Sequence, residues 1–301
     1  MVKSSKKQQD STMSWGKNTF MFIKHKALRL MPNIYIAYLI AFVVRHLSGS
    51  KVHSITVDIM NSLGELSLTS LTGFFTLRGS YSYMNGPTWY LSAMLLAMAI
   101  IYPIMLKFKE NFFYYIAPMG FIFLLGITYQ NYDNFDQMVI TWNGYFNSGL
   151  LRGLMGILGG AMVYQFVQYL QKKEYTLFMR VLFTVVECVM YLFVFLYMGF
   201  KEGSKHDWVI IIFFIVGVTI SLANVSLSTN IIKGKVFEWL GELSFSLYLG
   251  HVYYRDVFTA ESYIWYPIAA FSTALSIMYI SKLMKLVWRK IKPTIKAIVF
   301  L

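Results

Sequence analysis

Cysteine, acidic residues and proline are all scarce in this chain of 301 residues. There is one cysteine, Cys188, so no intrachain disulfide can form. It lies inside the apolar run VVECVMYLF, where a buried, inert thiol is expected. Charged residues make up only 14%, against about 25% in soluble proteins. Hydrophobic residues reach 57% and aromatic residues 18%, and the mean hydropathy is positive. A water-soluble domain of this length has too little interior to hide that surface, which makes lipid the expected solvent. The first twenty residues, MVKSSKKQQDSTMSWGKNTF, lack the apolar core of roughly 7–15 residues that a signal peptide needs. Residues 1–20 are therefore expected to form an uncleaved, basic cytoplasmic segment, and residues 21–301 one membrane domain. Also missing are a Gly-x-Ser-x-Gly elbow, a phosphate loop ending in Gly-Lys-Ser/Thr, and any His/Cys cluster with metal-ligand spacing. No metal site is expected.

What fills the chain is a series of long apolar stretches. A crossing helix needs about 20 such residues. Eight segments qualify, near 33–49, 89–106, 112–128, 149–170, 178–200, 207–224, 236–258 and 263–284. A ninth, 56–77, is ambiguous: Asp58 and Glu65 interrupt it, and it can be read as spanning, interfacial or re-entrant. The alternation of an outer-membrane barrel is absent. The predicted fold class is all-α, a polytopic membrane protein of about eight transmembrane helices plus that one ambiguous segment.

Charge orients the helices. The formal net charge is +13. Its distribution, in short clusters between apolar segments and at both ends, argues against a nucleic-acid surface and for the positive-inside pattern. With an inner N-terminus and a non-crossing 56–77, the inside segments hold 20 of the 27 lysines and arginines. The loop 130–149 then falls outside, and it has none. If 56–77 crossed, the basic tail KLMKLVWRKIKPTIK would land outside. Eight crossings with both termini cytoplasmic, in the cell membrane, is the favoured topology.

Four stretches carry polar residues that lipid does not explain. In GELSFSLYLGHVYYRD (241–256), Ser244, Tyr248, His251 and Arg255 fall at i, i+4, i+7 and i+11, one helical face. Polar groups within a membrane are costly and point into a bundle or cavity. His251 reads either as a hydrogen-bonding or headgroup-level residue, or as a binding or proton-transfer group, since imidazole titrates near neutrality. In FIKHKALRLMPNIYIAYLI (22–40), Lys26 and Arg29 share a face just before Pro32, which is expected to open a helix. They read as a cytoplasmic anchor or as a phosphate-binding patch at a cavity mouth. In NGPTWYLSAMLLAMAIIYPIML (85–106), an Asn85-Gly86-Pro87 turn precedes Trp89 and Tyr90, which suit an interfacial aromatic belt. In GLLRGLMGILGGAMVYQF (149–166), Gly149, Gly153, Gly156 and Gly160 are expected to form a small-residue packing face. Arg152 at the outer end of that helix either snorkels or faces the cavity.

Those four stretches, in that order, resemble the acyltransferase 3 family of integral-membrane acyltransferases. The most specific piece is FEWLGELSFSLYLGHVYYRDV, and the resemblance runs from about residue 18 to the C-terminus. The resemblance implies transfer of an acyl group, acetyl first among them, from acyl-CoA to a sugar hydroxyl of a surface polysaccharide. It implies that Lys26 and Arg29 occupy the family's acyl-CoA-binding basic pair, usually two arginines. Lysine keeps the charge but loses the bidentate fork. Trp89, Arg152, Ser244, Tyr248 and His251 become candidates to line the cavity. Family members usually begin with two further helices, the first carrying an arginine and, some ten residues later, the histidine associated with transfer. No such stretch precedes the match here, and neither His25 nor His46 has that context. The catalytic residue is thus left unassigned. The expected partners are the bilayer, acyl-CoA as donor, and a polysaccharide or lipid-linked sugar as acceptor, with no bound cofactor and no nucleic acid. The alternatives are a catalytically inactive truncated member, and a membrane protein that binds or transports a glycolipid.

Overall fold

The computed structural model describes residues 14–47, 54–66, 85–131, 141–142, 146–200, 207–232, 234–254 and 264–299. Arg255, most of the 130–149 loop and the second half of the ambiguous segment lie outside them. The described chain is helical apart from a small antiparallel ladder, β1 (Thr141–Trp142) on β2 (Phe146–Asn147). The helices are α1 (Trp15–Leu47), α2 (Ile55–Leu66), α3 (Thr88–Phe108), α4 (Ala117–Asn131), α5 (Ser148–Leu170), α6 (Leu177–Phe200), α7 (Trp208–Ala223), the single turn α8 (Thr229–Ile232), α9 (Lys235–Gly250) and α10 (Trp265–Val299). A π-helical turn, Phe112–Ile116, leads into α4, and a 3₁₀ turn, His251–Tyr254, extends α9.

Among the described residues six helical stretches are long and apolar enough to cross a membrane: Trp15–His46, Thr88–Phe108, Phe112–Asn131, Ser148–Leu170, Leu177–Phe200 and Trp265–Trp288. The chain is an all-α multi-pass membrane protein. The other two expected spans are represented by shorter elements. At 1.5 Å per residue α7 is about 24 Å long, and α9 with its 3₁₀ turn is about 32 Å. Helix α2, with 12 residues, measures about 18 Å and cannot cross a core of about 30 Å by itself.

Three local expectations are corrected. Pro32 does not open a helix; it lies inside the continuous α1, as Pro103 lies inside α3. Membrane helices tolerate such prolines because neighbouring helices and small local adjustments satisfy the freed carbonyl. Cys188 is exposed, not buried. It shares a stripe with Val181, Val185, Leu192 and Phe195, all exposed, on the outer face of a helix whose apolar window is only 11% buried. The glycine face of α5 is rotated from the expected one. Gly149, Gly153 and Gly159 are buried while Gly156 and Gly160 are exposed. A Cβ on Gly159 would stand 3.2 Å from the Phe121 ring of α4, so the missing side chain is what lets these helices meet.

The chain divides into two compact units. Unit 1 comprises residues 1–20 and 96–237, and unit 2 residues 21–95 and 238–301. In unit 1, α4 packs on α5, α5 on α7, and α6 on α7. An apolar cluster of Val163, Val167, Ile220, Ala223 and Val225 joins the ends of α5 and α7.

Unit 2 is held by Ile34, Ala37, Tyr38 and Ala41 of α1 against Leu91 of α3, Leu249 of α9 and Ile277 of α10. Its helix directions follow from these contacts. Tyr38 of α1 meets Thr88 at the start of α3 through a 2.9 Å hydrogen bond. Asn33, earlier in α1, accepts a 2.6 Å bond from Ser281, late in α10. The chain thus leaves α1 and enters α3 at the same end of unit 2.

Candidate functional site

The end of unit 2 where α3 begins and α9 finishes is built around the Asn85-Gly86-Pro87 turn. The turn closes because Asn85 O accepts the Thr88 amide at 3.1 Å and the Thr88 hydroxyl at 2.8 Å. Three tyrosines hold it from other elements. Tyr38 OH bonds the Thr88 hydroxyl, Asn85 Nδ2 donates to Tyr253 OH at 2.9 Å, and Tyr248 OH donates to Pro87 O. Asn85 is fully buried. Each bond satisfies a group that lipid would leave stranded at a cost of several kcal/mol, on the order of the water-to-apolar transfer of an amide or hydroxyl.

Helix α9 changes character at this same end. Gly250 is buried, and a Cβ there would stand 3.0 Å from Thr273 Cγ2 and 3.3 Å from Ile277 Cδ1 of α10. The absence of a side chain brings the two helices into contact, and the chain then tightens into the 3₁₀ turn that opens with His251. His251 is half-buried. Its Nδ1 lies 2.9 Å from Tyr248 O, and its backbone carbonyl accepts Tyr266 OH at 2.7 Å. Tyr254 OH bonds the Thr273 hydroxyl at 2.7 Å. The imidazole is therefore anchored through its ring and through its own main chain.

The sequence-level candidates separate into groups. Tyr248 and His251 sit together, with ring centroids 6.3 Å apart, and Trp89 follows the turn that Tyr248 grips. Trp89 is half-buried and stands edge-on to Tyr90, their ring centroids 5.6 Å apart. Ser244 is exposed, and its hydroxyl is satisfied by Gly241 O of its own helix at 2.8 Å. Arg152 lies in unit 1, half-buried near the start of α5.

Lys26 and Arg29 occupy the other end of unit 2, on the α1 segment that precedes Asn33. Lys26 is half-buried with its ammonium 5.6 Å from the centroid of the buried Phe22 ring, while Arg29 is exposed. That placement fixes Lys26 by a cation–π contact and leaves Arg29 to the surroundings. Along the α1 axis Arg29 is about 13.5 Å from Tyr38, and Lys26 about 18 Å.

Unit 1 contains a polar cluster that the spacing of the apolar runs does not announce. Glu187, in the middle of α6, is 2% exposed. Its two carboxyl oxygens accept the hydroxyls of Ser221 and Ser228, the latter at 2.7 Å. Tyr191 OH reaches the Ser221 hydroxyl at 3.0 Å, and the Ser226 and Ser228 hydroxyls are 2.8 Å apart. Thr184 Oγ1 accepts the Leu227 amide at 2.9 Å, and Arg180 donates to Ser226 O at 3.3 Å. Together these bonds fasten the connection after α7, where Asn224 turns left-handed at φ 59°, to the inner face of α6. The signal in the sequence is a stripe, Arg180-Thr184-Glu187-Tyr191, at i, i+4, i+7 and i+11 within an apolar span.

No curated protein and no solved structure matches the chain. The acyltransferase 3 family model, described as an acyltransferase domain, matches residues 15–283. The match runs from the first residue of α1 to Leu283 in α10, covers both units, and takes in the basic pair as well as the Tyr/His end of unit 2. The chain belongs to the acyltransferase 3 family, as a multi-pass membrane acyltransferase.

Proposed function

We propose that this protein is an O-acyltransferase that moves an acyl group, acetyl in the first instance, from acyl-CoA to a sugar hydroxyl of a surface polysaccharide in the cell membrane. Family membership across residues 15–283 carries the reading. The layout of unit 2 supports it. Two cations stand at one end, suited to CoA phosphates. A tyrosine- and histidine-rich site stands at the other, suited to a hydroxylated acceptor. The axial distance between them, about 13.5–18 Å, is on the scale of an extended pantetheine arm. On this reading both termini are cytoplasmic, Lys26 and Arg29 face the cytosolic donor, and the acceptor is met at the opposite end.

The test is transfer of radiolabel from [14C]acetyl-CoA to a de-esterified surface polysaccharide by the full chain in lipid nanodiscs. Lys26→Ala and Arg29→Ala are expected to raise KM for acetyl-CoA by about three- to thirtyfold each, since a hydrogen bond to a charged group contributes about 1.5–3 kcal/mol before solvent screening reduces it. Absence of transfer, with labelled glycolipid instead crossing the bilayer of liposomes free of acyl-CoA, would replace this reading with a transporter.

A further inference from the structure

We propose that Lys285 of α10 and Arg29 of α1 form a two-helix clamp for a phosphate group; naming acyl-CoA as its occupant rests on the acyltransferase reading above. The two residues are brought together by the register of the helices that carry them. Ala37 of α1 and Ile277 of α10 lie in one apolar cluster. Four residues back on α1 and four residues on in α10, Asn33 accepts a 2.6 Å hydrogen bond from Ser281. Residues four apart share a helical face, so the next rung of this antiparallel pair sets Arg29 beside Lys285. That rung lies about 6 Å beyond the Asn33–Ser281 bond. Packed helices have axes about 8–10 Å apart, a gap that an arginine and a lysine side chain can close around one phosphate.

Charge at this end of unit 2 is unbalanced. Helix α1 contains no aspartate or glutamate, and neither does α10. Helix α9, packed on α10 through Leu243, Ala274 and Met278, brings Glu238 and Glu242. Glu242 Oε2 lies 2.5 Å from Lys282 Nζ, so the charge of Lys282 is offset. Glu238 is exposed in the first turn of α9. Arg29 and Lys285 are both exposed, and among the described residues neither has a hydrogen bond or an ion pair. Lys26, one turn from Arg29 and held over the Phe22 ring, adds a third cation. Like charges on facing positions repel, and a bound anion turns that repulsion into attraction.

Phosphate suits the arrangement better than carboxylate does. A carboxylate presents two oxygens in one plane, whereas a phosphate directs its oxygens tetrahedrally toward groups on several sides. The guanidinium fork of Arg29 takes oxygens from the α1 side, and the ammonium of Lys285 takes one from the α10 side as a point charge. Lys26 and Arg29 belong to one helix and approach from one direction. Lys285 supplies the opposing contact that makes the pair a clamp.

The experiment measures binding and not transfer, by equilibrium dialysis of radiolabelled CoA against the full chain in phosphatidylcholine nanodiscs. Lys285→Ala should weaken CoA binding about three- to thirtyfold, the range for a hydrogen bond to a charged group reduced by solvent screening. Competition by 3′,5′-ADP, which has phosphates and no pantetheine arm, should weaken with it. Lys285→Arg should bind as the wild type does. Lys290→Ala removes an exposed lysine five residues on, off this face, and should stay within about twofold of wild type. Arg29→Ala combined with Lys285→Ala should lose less than the product of the two single losses, because both residues hold one phosphate. A second arm reads phosphatidylglycerol retained by the chain, by native mass spectrometry, and should give the same result with and without Lys285. Loss of phosphatidylglycerol in Lys285→Ala with CoA affinity kept would overturn acyl-CoA as the occupant. CoA binding by Lys285→Ala within about twofold of wild type, with phosphatidylglycerol unchanged, overturns the clamp, as does an equal loss in Lys290→Ala. CoA binding that depends on Lys285 in a chain that transfers no acetyl would remove the acyltransferase reading and leave the clamp standing.

Discussion

Replacing Glu187 should loosen a whole connection and not a single contact. Two hydroxyls, from Ser221 and Ser228, end on its carboxyl oxygens, and a third and fourth hydroxyl lean on those. In water-soluble proteins a buried donor stranded by mutation costs about 1–3 kcal/mol. In membrane proteins the measured coupling of such pairs is smaller, about 0.6 kcal/mol on average and about 1.7 at most. The smaller figures govern here, because a partly unfolded helix in lipid finds other partners. Glu187→Gln keeps one acceptor oxygen and turns the other into a donor, so one bond is lost, for about 0.6–1.7 kcal/mol. Glu187→Ala loses both bonds and the packing of the buried side chain, for about 2–4 kcal/mol in all. Ser228→Ala should cost about 0.6–1.7 kcal/mol in the wild type and close to nothing in Glu187→Ala, because its partner is already gone. SDS-induced unfolding followed by tryptophan fluorescence reads the cycle, and hydrogen exchange of the Leu227 amide, held by Thr184 Oγ1, reads the local effect. If Glu187→Ala stays within about 0.5 kcal/mol of wild type, or if Ser228→Ala costs the same in both backgrounds, the cluster does not hold the connection and the reasoning fails.

Gly250→Ala should destabilise unit 2 by about 1–3 kcal/mol, as overpacking does. The added methyl meets the stiff, β-branched Thr273 at 3.0 Å, and thermal melting together with acetyl transfer would both register it. Cys188 should react with a lipid-soluble maleimide and resist a membrane-impermeant one, as expected of an exposed thiol on an apolar stripe. Rapid labelling by the impermeant reagent would place α6 away from lipid. In a Cys188→Ser background, Leu47→Cys and Gly86→Cys should be labelled from one side of sealed vesicles and Lys26→Cys from the other. Gly86 has open space where a side chain would begin, so its variant should fold. Labelling of Leu47→Cys and Gly86→Cys from opposite sides would mean that residues 48–87 cross an odd number of times.

The spans were legible because a lipid-exposed helix must be apolar over most of its length, and composition alone reports that. Six of the eight expected segments correspond to membrane-length helices, with boundaries shifted most where the apolar signal says nothing. Helix α1 begins at Trp15, well before its apolar part, because polar residues such as Lys17, Asn18 and Lys24 are compatible with a helix outside the hydrocarbon. What hydropathy could not show is which face of a span turns inward. Cys188 and Glu187 are adjacent in sequence, yet Glu187 is buried and Cys188 exposed, and only the polar stripe from Arg180 to Tyr191 distinguishes them. On α5 the small residues are dense enough that two rotations are equally consistent with the pattern, and contact with Phe121 decides between them. The site was half visible. Tyr248 and His251 stand out as polar groups in an apolar run, but the partners that fix them are main-chain carbonyls, which sequence does not specify.

Two independent lines of evidence converge on how the ends of unit 2 are distributed. The charge count needs no structure, and it sets Lys26 and Arg29 on one membrane face with Trp89 and His251 on the other. The packing needs no charge. Tyr38 reaches Thr88, Tyr248 reaches Pro87 and Asn33 reaches Ser281, which order the helices so that the basic pair and the imidazole lie at opposite ends of unit 2. Helix α1 between Lys26 and Leu47 is about 31 Å long, about the thickness of the hydrocarbon core. Helix α1 carries the cationic pair at one end of such a length and braces the polar site with Tyr38 farther along it. On the proposed function, transfer from a thioester at one end to a hydroxyl at the other calls for no large movement of unit 2, only a donor long enough to extend from the cations to the level of Tyr248.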